Sequence, residues 1–251
     1  MDEVPEGKCC QRVKRPPSFM DAESYDRWYQ TPRGEWIGQR EASLVLECLQ
    51  PRPGESLLDV GCGTGYFTRA LGSSISGQVV GVDINPEWVE YARRQSTGKP
   101  SYEIADARAL PYANGSFDLV VSIAALCFID DELAAAREIC RVARRRFVVG
   151  FLNRQSLLWL QKGRHGGHGG YRGARWHTAH EATRLFRDLP VQRLRVRTAV
   201  QIPSGGHLAR FIERLWPPSV ASGAFLLVVG DINETEKPPE HGMQATACGR
   251  G

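Results

Sequence analysis

The stretch Leu57-Leu58-Asp59-Val60-Gly61-Cys62-Gly63-Thr64-Gly65-Tyr66-Phe67 decides the fold. A short apolar run meets a turn carrying three glycines and then opens a helical pattern, which reads as a strand, a loop and a helix start. Glycines at alternate positions let the backbone take positive φ and bring N–H groups close to a ligand that side chains would push away. The spacing is G-x-G-x-G, and the third glycine set one residue later, which marks close helix approach to a dinucleotide pyrophosphate, is missing. Asp59 adds a carboxylate at the strand end. An anion beside the loop disfavours phosphate and favours an ammonium or sulfonium group.

Downstream, the same pattern of apolar run and terminal acid repeats. Gly77 to Asp83 reads as a second strand, and Asp83 stands 22 residues beyond Gly61, where an acid at the carboxyl end of a neighbouring parallel strand accepts hydrogen bonds from ribose hydroxyls. That placement suits any adenosine nucleoside, NAD included. Asn85-Pro86 reads as a helix cap followed by proline at the first helical position, with a helix from Glu87 to Arg94. Tyr102 to Ala107 reads as a third strand ending near Asp106, and Leu119 to Ser122 as a fourth.

With acids Asp59, Asp83 and Asp106 in this order around the glycine turn, the chain resembles the class I S-adenosylmethionine-dependent methyltransferases, of the type 11, small-molecule-like kind. The resemblance covers roughly residues 36 to 152 in motif. It implies an α/β, doubly wound, Rossmann-like seven-stranded sheet with an N-terminal helical cap, a glycine-rich lid insertion and two C-terminal strands in a hairpin-like edge. It implies S-adenosyl-L-methionine as cofactor, held by Asp59, Gly61, Cys62, Gly63 and Gly65 of the loop. Asp83 and Ile84 of the second strand's end, Asp106 and Ala107 of the third, and Ser122 of the fourth complete the implied set. Ala105 stands where the family often has glycine, a departure that leaves a backbone contact intact.

Residues 1–18 read as a flexible tail, 19–232 as the methyltransferase domain and 233–251 as a polar, disordered tail. Tyr25, Trp28 and Tyr29 fall within one helical turn before a helix from about Trp36 to Leu49. In the family a Tyr-Asp-x-Trp segment followed by Thr-x-x-Gly lies near the methyl-donor pocket. Tyr25 and Trp28 therefore either border the substrate side or anchor the helix to the sheet.

After the fourth strand, Ser122 to Ile129 is almost wholly apolar, without the Asn- or Asp-Pro-Pro-Tyr of many amino-group methyltransferases. That argues against N-methylation of a base or glutamine. A helix from Asp131 to Val142 follows, read as capped by Asp130, and Arg144-Arg145-Arg146 reads as a solvated turn before a strand Phe147 to Phe151. A helix Gln155 to Gln161 leads into Gly163 to Thr178, where glycines at 163, 166, 167, 169, 170 and 173 accompany Tyr171, Arg172, Trp176 and His177. This mixture reads as a moving lid whose Arg172, Trp176 and His177 face the acceptor. Two His-x-x-His pairs, 165/168 and 177/180, raise zinc, but no cysteine or acid completes a set at ligand spacing, so no metal is expected. Helix 178 to 188, strand Gln192 to Val200, helix His207 to Leu215 and strand Ala224 to Val229 close the domain.

The hydrophobic fraction of 42% and charged fraction of 24% exclude a disordered chain, and no apolar run reaches bilayer length. A net charge of +4 is too small to establish nucleic-acid binding. The seven cysteines lack paired spacing and read as reduced thiols, which with the acidic start Met1 to Pro5 gives a cytoplasmic expectation. Methyl transfer from a sulfonium has a neutral leaving group, so alignment and water exclusion matter more than a base. If the acceptor is a hydroxyl, His177 and Tyr25 are the candidates to assist. A small-molecule acceptor is the expected partner. An RNA or protein methyltransferase and a non-catalytic cofactor-binding module are the alternatives.

Overall fold

A computed structural model describes residues 21–232. The two tails read from the sequence, 1–18 and 233–251, lie outside these residues, as do residues 19 and 20 of the expected domain. Asp21 caps α1 (Ala22–Trp28) by accepting from the Ser24 amide, and Thr31 caps α2 (Pro32–Leu49) by accepting from Gly34. Proline at the first position of α2 starts that helix a turn earlier than its apolar stripe suggests. Then come β1 (Leu57–Val60), α3 (Tyr66–Gly72), β2 (Val79–Asp83), α4 (Pro86–Gln95) and β3 (Ser101–Ile104). The second half holds β4 (Phe117–Ile123), α5 (Glu132–Val142), β5 (Ala143–Leu152), α6 (Ala179–Arg184), β6 (Val191–Ala199), α7 (His207–Leu215) and β7 (Phe225–Ile232).

The strands form one seven-stranded sheet in the order β3-β2-β1-β4-β5-β7-β6. The first five run parallel, and β7 enters antiparallel between β5 and β6. Strands buried on both faces need continuous apolar runs, and β1 and β4 supply them. Strand order reverses at β1, whose neighbours are β2 and β4, so the crevice at its carboxyl end is where such sheets bind ligands. The glycine loop leaves β1 at that point.

Three local expectations are corrected. Asp131, not Asp130, caps α5, because its carboxylate accepts from the Ala134 amide three residues on. Arg144, Arg145 and Arg146 lie inside β5, not in a turn. Arg145 grips Glu55 and the carbonyls ending α2, and Arg146 forms a buried pair with Asp231 of β7 at 2.6 Å. The helix expected at Gln155 to Gln161 is a π turn over Trp159–Gly163. Among the described residues no helix is long and apolar enough to cross a membrane.

Candidate functional site

Gly61, Gly63 and Gly65 all take left-handed φ, at 75°, 56° and 76°. Their backbone amides, however, face the protein. Gly61 and Cys62 donate to the Val82 carbonyl at 2.7 and 2.9 Å, Gly63 to the Asp83 carboxylate at 2.9 Å, and Gly65 to the Cys62 carbonyl at 2.9 Å. The glycines serve this site by lacking side chains, while the amides expected to meet a ligand are engaged within the loop. A phosphate needs such amides free, so this loop is a poor anion cradle and a fair seat for a cation.

Asp59 lies beneath the loop, 1% exposed, and accepts from the Thr68 hydroxyl at 2.6 Å. Burial pushes its carboxyl up to about 7, against the opposing Thr68 bond. At that burial its carboxylate is out of reach of direct contact from the crevice. Asp83 is half-buried; its two oxygens accept from the Gly63 and Asn85 amides, and burial raises its pKa despite those bonds. Each oxygen keeps a lone pair for ribose hydroxyls. Beside it Ile84 is 38% exposed, an apolar surface left open at the crevice. Asp106 follows β3 and is held by a bidentate fork from Arg108, which keeps its carboxyl below the usual carboxylate range. Ala107 next to it is buried.

Ser122 turns its side chain inward. It is fully buried, and its hydroxyl donates to the Val60 carbonyl at 2.7 Å, tying β4 to the end of β1. The residues after β4 meet the loop instead: a Cβ on Gly61 would come within 2.2 Å of the Ala125 Cβ.

The N-terminal aromatics close over the loop. Tyr25 packs on Trp88 of α4 at 5.2 Å between ring centroids, and Trp88 lies 3.1 Å from where a Gly63 Cβ would be. Tyr29 stacks on Tyr66 at 3.8 Å and shares a 3.2 Å hydrogen bond with the Tyr25 hydroxyl. Arg69 braces this cap through Asp26 at 2.9 Å. Tyr25 thus packs both on Trp88 beside the loop and on the core, and Trp28 packs half-buried against the core. The sequence reading passed over Trp88, whose only signal was an aromatic one turn beyond Asp83.

The segment 163–178 is wound into tight turns. A Cβ on Gly163 would meet Trp159 at 2.2 Å and one on Gly167 the Tyr171 carbonyl oxygen at 2.2 Å, so these two glycines allow close packing; those at 166, 169, 170 and 173 face open space. Trp176 is 8% exposed and belongs to the core, and Arg172 lies exposed on the segment's outer part. His177 is 3% exposed and its Nε2 sits 2.8 Å from Glu132 of α5, with Arg175 on the same carboxylate at 3.2 Å. Burial raises the Glu132 carboxyl, but the His177 and Arg175 contacts outweigh it and hold the group low. His165, His168 and His180 are exposed, and no cluster of three metal donors occurs among the described residues. A separate groove of about 410 Å³ between α2 and α7, lined by Trp36, Arg210 and Trp216, lies away from the glycine loop.

Residues 58–148 match the family model described as a methyltransferase domain. An O-methyltransferase of Pyrenophora dematioidea is 37% identical over 115 residues, 44% of this chain and 43% of that protein. An uncharacterised protein of Mycobacterium tuberculosis is 29% identical over 88% of this chain and 75% of its own length. A Thermotoga maritima S-adenosylmethionine-dependent methyltransferase, described as a possible histamine N-methyltransferase, superposes with a TM-score of 0.68 at 24% identity, over 84% of this chain and 96% of that one. These findings support a class I S-adenosylmethionine-dependent methyltransferase, with residues 58–148 matching the methyltransferase domain. The chain spans less than half the length of the curated O-methyltransferase it matches.

The geometry fits the cofactor this family uses. Three side-chain-free positions, engaged loop amides, a buried acid below and Asp83 beside the open Ile84 together suit a sulfonium nucleoside and not a pyrophosphate.

Proposed function

We propose that this protein transfers a methyl group from S-adenosyl-L-methionine to a small-molecule acceptor. The observation that carries the reading is the glycine loop whose amides are engaged internally above the buried Asp59. When bound, the cofactor supplies an electrophilic methyl on a sulfonium, whose departure leaves a neutral thioether. The chain's own residues have to bind, align and exclude water. Asp83 takes the ribose, Ile84 lies against the adenine and Asp106 reaches its amino group past Arg108. Tyr25, Trp88 and Tyr66 form the aromatic roof on the acceptor side, and segment 163–178 borders it through Tyr171 as a lid.

Tyr25 keeps its proton, because burial raises the phenol despite its Tyr29 bond, so it orients an acceptor by hydrogen bonding and is not a base. His177 is a strut. Its exposed surface is 3% and its Nε2 faces Glu132, which leaves it no path to an acceptor proton. Oxygen is the favoured acceptor atom, supported by the name of the Pyrenophora relative and by the absence of an Asn- or Asp-Pro-Pro-Tyr segment after β4. The four described cysteines are free thiols, which supports a cytoplasmic setting.

Calorimetry with S-adenosylhomocysteine tests the donor half. Asp83→Ala is expected to weaken binding by about 1.5–3 kcal/mol, the range for hydrogen bonds to a charged group. Unchanged affinity in that variant, or tighter binding of NADH by the wild type, overturns the reading. A labelled-methyl screen against a metabolite extract and, separately, total RNA then separates a small-molecule acceptor from a polymer.

A further inference from the structure

The buried face of α2 carries Ile37, Gly38, Ala42, Leu44 and Val45, and an acid interrupts it. Glu41 stands four residues after Ile37, three after Gly38 and four before Val45, so helical geometry turns it toward the interior. A Cβ on Gly38 would come within 2.4 Å of the Tyr66 hydroxyl and 2.8 Å of Tyr29, which identifies what this face meets. The charge of Glu41 is felt by Tyr25, Tyr29, Tyr66 and Tyr171, contributed by α1 and its cap, by the start of α3 and by the segment after β5.

No hydrogen bond or ion pair reaches Glu41 among the described residues. Its neighbour Arg40 turns the other way, to Glu213, which also accepts from the Val200 and Gln201 amides. Burial pushes the Glu41 carboxyl up to about 8, with Glu213 adding to the effect and no cation opposing it. Glu41 nonetheless keeps partial accessibility, and it follows by one helical turn the Gly38 position that packs on Tyr66 and Tyr29. A buried acid without a partner costs stability. An unpaired carboxylate near a cluster of tyrosines has the chemistry to seat an organic cation, by charge pairing and by attraction to the rings.

We propose that Glu41 anchors a protonated amine on the acceptor, with Tyr25, Tyr29, Tyr66 and Tyr171 as the walls of its pocket. The acceptor class is then a small molecule with a basic nitrogen separate from the atom that is methylated. The pocket borders the donor site, because Tyr25 rests on Trp88 above the glycine loop and Tyr66 directly follows Gly65. Calling the bound amine the acceptor rests on the methyl-transfer reading above.

The test uses the full chain saturated with S-adenosylhomocysteine, titrated calorimetrically with benzylamine and with benzyl alcohol, which match in shape and differ in charge. Wild type is expected to bind benzylamine about tenfold or more tighter, in line with a charge-assisted hydrogen bond. Glu41→Gln is expected to bind the two probes equally, to keep S-adenosylhomocysteine affinity within about twofold, and to melt higher than wild type because a buried carboxylate is gone. Equal binding of both probes by wild type, no binding of benzylamine, or a preference that survives in the variant overturns the proposal. So does a tenfold loss of S-adenosylhomocysteine affinity in Glu41→Gln, which would put the carboxylate on the donor's own amino group. Wild type that fails to bind S-adenosylhomocysteine at all overturns the methyltransferase reading instead, and benzylamine selectivity without it would leave the amine site standing.

Discussion

Gly65 shows how one missing side chain sets the loop. Its φ is 76°, and a Cβ there would fall 2.7 Å from the Tyr102 hydroxyl, which is itself bonded to Ser96 at 2.8 Å. Alanine would have to hold a left-handed backbone and displace a ring of the core, so Gly65→Ala should cost about 1–3 kcal/mol in urea unfolding and weaken S-adenosylhomocysteine binding as well. Full stability with full affinity in that variant would show that the loop tolerates a side chain. Asp59 gives a pH test. Its folded pKa of about 7 lies above the ordinary aspartate value of 3.8, so the native state holds an extra proton between these values. Stability from this group is complete below about pH 4, falls as pH rises through 7 and is level above. Asp59→Asn carries no such charge, so its melting temperature should gain on wild type from pH 4 to 7 and then run parallel. A constant difference across that range would remove Asp59 as a buried titrating acid.

At the scale of elements, β5 joins the parallel half of the sheet to the antiparallel edge, and arginines make the joint. Arg145 ties the strand to Glu55 before β1, and Arg146 ties it to Asp231 of β7, both partners about 10% exposed. Breaking a buried pair leaves its other charge uncompensated, so Arg146→Ala should lose about 3–5 kcal/mol. Replacing both Arg146 and Asp231 with apolar residues should recover much of that loss. A single variant as stable as wild type would mean that the pair is solvated. Three consecutive arginines look like a solvated turn when read locally, because neither Glu55 nor Asp231 is near in sequence. The strands and their terminal acids were legible for the opposite reason, since apolar run, glycine turn and acid are all local signals. Asp130 and Asp131 were indistinguishable as caps until the Ala134 amide chose between them.

Across the whole molecule, the same limit governs the site. The cofactor side could be read from residues 57–107 because the parallel α/β order alone brings the ends of β1, β2 and β3 together. The partner of each polar group could not. Ser122 reaches back to Val60, and Glu41 looks like any helix acid until its helix face is seen to pack on Tyr29 and Tyr66 at Gly38. His177 is the clearest case. Among glycines, arginines and aromatics it suggested a base on a moving lid, and its contacts support instead a role in bracing the base of that segment. Its amide bonds the Leu152 carbonyl, its carbonyl takes the Arg154 amide and its ring meets Glu132. It thus joins the end of β5, the start of α5 and the base of segment 163–178. His177→Ala should lower stability by about 1–3 kcal/mol, because Glu132 loses a charge-assisted partner. Hydrogen exchange should quicken through residues 163–176, with S-adenosylhomocysteine affinity within about threefold of wild type. His177→Gln, which can still donate to Glu132, should restore most of the protection. Unchanged stability and exchange in His177→Ala would free the residue from this structural duty and return it to consideration as a base.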